Sequence, residues 1–290
     1  MTDQVVNSRS SPVLRRILTN SGVTIGGGIL IIFVLMAILA PLLAPHDPYA
    51  QDLSRRILPP FWHDRSVSEH LLGTDHLGRD YLSRLIYGSR VSLGVSAGVI
   101  LVAGSIGITL GLFAGYFGGR VDMVISFIIT TRLSLPIVLV ALAAVAVGGA
   151  SLRTLILVMG LLLWDRFAVV TRAATQSLRS QEFIIGLRAI GARIPRILFL
   201  EILPNMRSTI LVVVTLEVAN VILLEAALSF LGLGVRPPTP SWGLMIAEGR
   251  DNILFDPWLI ALPGSLLCLL VLAVNLFGDG LRDITGPKRK

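Results

Sequence analysis

Two carboxylates and an amide, Glu217, Glu225 and Asn220, interrupt a mainly apolar run from Ser208 to Leu231. On a helix, Glu217 and Asn220 share a face, and Glu225 lies about 80° round from Glu217. A carboxylate inside a bilayer costs about 2.5–3.5 kcal/mol on insertion scales, so it faces protein interior or a water-filled path. Two readings stay open for each Glu. Either it lines a solute path, or it is a hydrogen-bonded group that holds helices together, with Asn275 as a candidate partner. Arg132, ten residues beyond Asp122, lies within snorkelling reach of a membrane surface and reads as an interface anchor.

Enzyme chemistry finds little support. The only lysines are Lys288 and Lys290, at the very end of the chain. A phosphate-binding loop needs Gly-Lys-Ser/Thr after a strand, so this chain is not expected to hydrolyse ATP by that route or to form a Schiff base. All four His (46, 63, 70 and 76) fall in one segment with Asp47, Asp64 and Asp75. These residue types suit a transition metal, but their spacing matches no ligand pattern, and no metal is expected. No nucleophile–base arrangement stands out. Cys268 is the lone cysteine and can make no intrachain disulfide.

The elements that would hold these residues are membrane spans. Of 290 residues, 53% are hydrophobic and 15% charged, with a mean hydropathy of +0.78, which places the chain among multispanning membrane proteins. Residues 17–45 form an uncharged run of 29, about 43 Å long as a helix and ample for a hydrocarbon core of about 30 Å. Without a small-residue cleavage site, it reads as a retained span. Five more spans are expected. They are Val91–Phe117, Met123–Val147 with a kink at Pro136, Leu152–Val170, Ser208–Leu231 and Pro257–Phe277. The second carries Gly94, Gly98, Gly107, Gly111 and Gly115, spaced to let a neighbouring helix approach closely. Asp165 and Arg166, next to Trp164, are placed at a membrane interface.

The fold class is therefore an all-α membrane protein with six transmembrane helices. Its expected order is a cytoplasmic tail (1–16), the first span (17–45), an extracytoplasmic loop with an interfacial helix (46–90), a five-span core (91–283) and a cytoplasmic basic tail (284–290). With both termini inside, 16 of the 25 Lys and Arg fall on cytoplasmic segments, as the positive-inside rule asks. The net charge of +7 then reflects topology. Basic residues scattered over several loops without interleaved aromatics do not fit a nucleic-acid partner.

Residues 171–204 stand apart. Arg172, Arg179, Arg188, Arg193 and Arg196, with Arg166 just upstream, face only Glu182 and Glu201. The stretch reads as two short amphipathic helices. Gly191 ends the first in a left-handed conformation, Pro195 sits in the first turn of the second, and Pro204 closes it. A cationic, non-spanning helical segment between spans is suited to touch a soluble partner or anionic lipid.

The same segment resembles the Glu-Ala-Ala loop of ABC-importer permeases, in which a Gly precedes Ile-x-Leu-Pro by nine residues. Ala189-Ile190-Gly191-Ala192 and Leu203-Pro204 match. Ile185-Gly186-Leu187 replaces Glu-Ala-Ala, and Glu201 replaces Ile, with Glu182 as the candidate stand-in for the missing acid. Further blocks are similar to the C-type membrane subunit of the dipeptide/oligopeptide (peptide/opine/nickel) importers: APLLAPHDP (40–48), HLLGTDHLGRDYLSRLIYGSRVSLGV (70–95), GYFGGRVD (115–122), LSFLGLGVRPPTPSWGLMIAEGRD (228–251) and NLFGDGLRD (275–283). Phe127 and Thr130 depart from that pattern.

The resemblance implies a type I importer permease core. It implies a coupling loop at about 171–204 carrying Glu182, Gly186, Leu187, Ala189, Gly191, Arg193, Leu203 and Pro204. It also implies a second homologous permease, two ATPase subunits that bind ATP-Mg, and an extracytoplasmic solute-binding protein, in a bacterial or archaeal inner membrane. The alternative is a self-contained secondary transporter or channel, for which internal repeats and midplane coupling sites are the expected marks.

Overall fold

The computed structural model describes residues 20–149 and 151–285. The expected tail 1–16, residues 17–19 of the first span and residues 286–290 of the basic tail lie outside the described residues. Helix α1 (Ser21–Ile38) starts at Asn20, whose side chain accepts the Val23 N–H and so satisfies one of the free amides of the first turn. A short α2 (Ala40–Leu43) follows.

Helix α3 (Tyr81–Phe117) is 37 residues long, about 55 Å at the α-helical rise and longer than a hydrocarbon core. The helix expected within 46–90 and leading into the second span is continuous with that span. Residues 81–90 are the first turns of α3 itself. The apolar stripe at Tyr81, Leu85 and Ile86 is buried, with Tyr81 and Leu85 packed among Trp242, Met245 and Leu259 and turned away from lipid.

The third span is broken rather than kinked. α4 (Gly119–Leu133) and α5 (Ile137–Gly148) meet at 86°. Pro136 disfavours helical geometry in the residue before it and itself adopts an extended ψ of 110°. The fourth span also has two pieces, α6 (Leu152–Leu162) and α7 (Trp164–Arg179), interrupted at Leu163. It runs nine residues beyond the expected end at Val170.

The 182–206 segment contains α8 (Glu182–Ala189), α9 (Ile194–Arg196), a π-helical turn (Ile197–Ile202) and α10 (Leu203–Asn205). The last spans are α11 (Arg207–Phe230) and α13 (Trp258–Thr285), with α12 (Trp242–Gly249) between them. Among the described residues, five helices are long and apolar enough to span, six when the bent α4–α5 pair counts as one. This is the six-span architecture read from the sequence.

The glycine seam is real where α3 meets α7. A Cβ at Gly107 would lie 2.2 Å from the Trp164 carbonyl oxygen, and one at Gly111 would lie 2.6 Å from that of Ala168. A Cβ at Gly115 would come within 2.6 Å of the Thr175 Cβ. The two backbones can approach only because these side chains are missing. Gly94 plays no such part, since nothing lies within 4 Å of its added Cβ.

Candidate functional site

The 182–206 segment is fastened to the bundle through its own small core. Ile184, Ile197, Leu198, Ile202 and Met206 pack on Leu112 and Tyr116 near the C-terminal end of α3. Gly191 has φ +76°, the left-handed conformation expected from the sequence. The Ala192 N–H donates to the Leu187 carbonyl at 3.0 Å and the Gly191 N–H to that of Arg188 at 3.0 Å, closing the end of α8 in a Schellman-type turn. Pro195 lies in the first turn of α9, as expected. Pro204 does not close a helix. It lies in the first turn of α10, and the chain stays nearly helical through Met206 into α11, because proline needs no N–H in a first turn.

Glu182 opens α8 and is exposed, as are Gly186, Ala189, Arg193 and Pro204, while Leu187 and Leu203 are half-buried. Leu187, Ile190, Gly191, Ala192, Arg193 and Arg196 surround an open groove of about 380 Å³. Ile190 is 79% exposed at its lip. An apolar knob flanked by guanidiniums at a rigid turn can seat in a complementary surface of another protein.

The arginine cluster divides in two. Arg172 donates through Nη2 to Asp122 Oδ2 at 2.7 Å, with a second bond from Nε to Oδ1, and Arg179 donates to the Tyr116 carbonyl at 2.9 Å. Arg188 lies 4.6 Å over the Tyr116 ring, a cation–π contact. Arg193 and Arg196 remain exposed beside the groove. Arg172 and Arg179 therefore tie the end of α7 to α4 and α3, and Arg188 holds the 182–206 segment to α3.

Higher in the bundle, two adjacent residues of α7 make two ion pairs. Asp165 Oδ2 accepts from Arg132 Nη1 at 3.0 Å, and Arg166 Nη1 donates to Glu217 Oε1 at 3.0 Å. The sequence reading placed Asp165 and Arg132 by depth and did not foresee this pairing. Asp165 is 1% exposed because the chain continues as a helix into the bundle, and Arg132 turns to it.

Glu217 is buried and also accepts from Asn220 Nδ2 at 3.4 Å; its partners are Arg166 and Asn220, where the sequence had offered Asn275. The Arg166 side chain is 58% exposed, so the polar strip opens outward through the arginine. Glu225 is fully buried and accepts from Ser229 at 2.7 Å, with Ser241 and Ser92 also close by. This geometry favours the anchoring reading for Glu225.

At the opposite end, α12 is clasped to the start of α3. Arg79 Nε donates to Asp75 Oδ2 at 2.6 Å and its Nη2 to Glu248 at 3.2 Å, while Arg84 Nη1 bonds both Asp75 and Glu248. Burial alone would raise the Asp75 carboxyl. The Arg84 and Arg79 guanidiniums, with the main-chain N–H groups of Arg79 and Leu77, outweigh it and hold Asp75 below the usual aspartate value. Trp242 Nε1 donates to the Leu85 carbonyl at 2.9 Å. The sequence reading missed this clasp, although paired charges in 75–84 and 248 were its visible signal.

The model for binding-protein-dependent transport system inner membrane components matches residues 107–290, and that for the N-terminal TM domain of oligopeptide transport permease C matches residues 8–60. The chain belongs to this permease family. A dipeptide transport system permease protein from Haemophilus influenzae is 39% identical over 93% of this chain and 92% of its own length. A di/tripeptide transport system permease protein from Pseudomonas aeruginosa is 41% identical over 91% and 88%.

Inward-facing structures of a methionine ABC transporter share the fold, with a TM-score of 0.57 at 18% identity, over 70% of this chain and 96% of the matched chain. The permease is thus a multi-pass inner-membrane subunit of an ATP-binding-cassette importer with the type I core anticipated above.

Proposed function

We propose that this permease forms half of a translocation pathway for short peptides, beside a second, homologous permease. Two separate ATPase subunits bind ATP-Mg and drive it, and an extracytoplasmic solute-binding protein supplies the substrate. Both termini lie in the cytoplasm of a bacterial or archaeal cell. The peptide relatives support the substrate class, at about 40% identity over nearly the full length.

The observation that carries the energy coupling is the 182–206 segment. Its exposed face presents Ile190, Arg193 and Arg196 around a left-handed turn, and its buried face is packed on α3. A push on that face moves α3 as a rigid lever. Ile185-Gly186-Leu187 in place of Glu-Ala-Ala leaves apolar contact and the arginines to make the docking, with Glu182 as the nearest acid. Within the bundle, Arg166, Glu217 and Asn220 line the solute path, and Glu225 supports the wall behind it.

The test is isolation in mild detergent from the native membrane, followed by mass spectrometry, ATPase assay and reconstituted uptake of labelled dipeptide. Co-recovery of a second permease and ATPases, with ATP-dependent uptake, is the expected result. Ion-gradient-driven uptake by this chain alone would overturn the reading in favour of a secondary transporter.

A further inference from the structure

The fold brings together three side chains that the sequence keeps 24 and 10 residues apart: His46, His70 and Asp80. We propose that they form a binding site for a divalent transition-metal ion of the zinc type, fastening the chain beyond α1 to the start of α3. The proposal does not rest on the transport reading.

The geometry is close to what a metal requires. His46 Nδ1 lies 3.6 Å and His70 Nδ1 2.8 Å from the same Asp80 oxygen, Oδ1. The candidate ligand atoms all fall within 4.8 Å of one another. Zinc with bonds of 2.0–2.2 Å to nitrogen and oxygen holds tetrahedral ligands about 3.4 Å apart. Small side-chain rotations bring all three into range. The two imidazole rings sit with centroids 4.8 Å apart and tilted by 43°, leaving the nitrogens convergent on the carboxylate. Two imidazoles and one carboxylate make a donor set that imidazole-preferring metals accept.

The support around the ligands is built in. Asp80 is 2% exposed, and its second oxygen, Oδ2, accepts the Ser83 N–H at 2.8 Å. That fixes the carboxylate as the N-cap of α3 and leaves Oδ1 turned to the two histidines. Ser83 Oγ also accepts the main-chain N–H of His46 at 3.1 Å, so one serine orients two of the three ligands in the manner of outer-shell groups. His46 has a 40% exposed side chain and provides the entry route and room for a water ligand. A ligating imidazole nitrogen must be free of hydrogen, so metal binding through Nδ1 selects the tautomers of His46 and His70 that carry the proton on Nε2.

A second cluster, Asp75, His76 and Glu248, is less suited. Its two carboxylates are already engaged by Arg79 and Arg84, whose charges oppose a cation.

The experiment uses the full chain purified with a tag that contains no histidine. It is stripped with chelator, dialysed against zinc chloride and assayed for bound metal. The wild type is expected to hold about one zinc per chain. His46→Gln, at an exposed side chain, and Asp80→Asn, which keeps an N-cap of equal quality, are expected to weaken binding at least ten-fold. Cobalt(II) should give visible ligand-field bands with the wild type that both variants lose, while His76→Gln retains them. Size-exclusion profiles confirm that the variants remain folded. Wild type without stoichiometric zinc, undiminished binding in His46→Gln and Asp80→Asn, or loss in His76→Gln alone would each overturn the proposal.

Discussion

The Arg132 guanidinium lies 3.0 Å from the Asp165 carboxylate and ties together two helices that are both interrupted beside the pair. α4 ends just after Arg132, and α7 begins just before Asp165, at Trp164. A broken helix leaves main-chain groups without their regular partners and makes a natural pivot. One ion pair between two pivots makes them move together.

Removing one partner of a buried pair strands the other charge, which costs about 3–5 kcal/mol. Asp165→Asn is therefore expected to lower the thermal unfolding temperature of the purified permease clearly. Replacing both residues with leucine should recover most of the loss, because no buried charge remains. A double variant as unstable as the single one would show that the loss comes from the missing pair and not from a stranded charge.

Acid should loosen the opposite end. Asp75 has a depressed native pKa, so its contribution is fully present above its ordinary value of 3.8. It is lost as pH falls through the lower native value. Thermal stability should fall below about pH 4 with a component that Asp75→Asn abolishes. Identical pH dependence in variant and wild type would remove Asp75 from the account. At neutral pH the variant leaves Arg84 and Arg79 short of a counter-charge, so it should be less stable there as well.

At Gly191 the cost is in the backbone, because nothing lies within 4 Å of an added Cβ. A non-glycine residue in the left-handed region costs about 1–2 kcal/mol, and Asn is the tolerated exception. Gly191→Val should insert normally yet lose most ATP-dependent uptake, while Gly191→Asn should keep most of it. Equal uptake by both variants would show that the turn is not needed for coupling.

How much of this was legible in the sequence depended on the distance over which each signal acts. The six spans, the left-handed Gly191 and the seam at Gly107, Gly111 and Gly115 follow from local composition and helical period, so they could be read in advance. The break at Pro136 was visible only as a kink, because its 86° angle depends on what α4 and α5 pack against. Arg132 and Asp165 were placed at interfaces since each was judged by its depth along its own helix. Their mutual contact is tertiary and has no sequence period. The same holds for His46, His70 and Asp80, whose spacing in the chain says nothing of their convergence at the start of α3.

The seam offers a paired control. Gly111→Ala places a methyl 2.6 Å from the Ala168 carbonyl oxygen, where only a backbone shift can make room, at about 1–3 kcal/mol for overpacking. Gly94→Ala meets nothing and removes a helix-interior glycine, which should be neutral or stabilise by up to about 1 kcal/mol. Detergent melting curves of the two variants should therefore move apart, and coincident curves would contradict the close α3–α7 approach.

Arg166 and Glu217 allow the solute path to be separated from mere support. Glu217 is 2% exposed at its side chain and Arg166 is 58% exposed, so on the proposed path the arginine is the member a passing solute would meet, with the carboxylate aiming it. Arg166→Ala leaves Glu217 buried without its cation and should lower both stability and uptake, the latter at least ten-fold. Adding Glu217→Gln removes the stranded charge and should restore stability. Uptake by the Arg166→Ala/Glu217→Gln double variant then decides the role. Continued loss of dipeptide uptake in a stable, ATPase-competent complex is the expected result and places the guanidinium in the path. Uptake restored together with stability would show that the pair only holds α7 to α11.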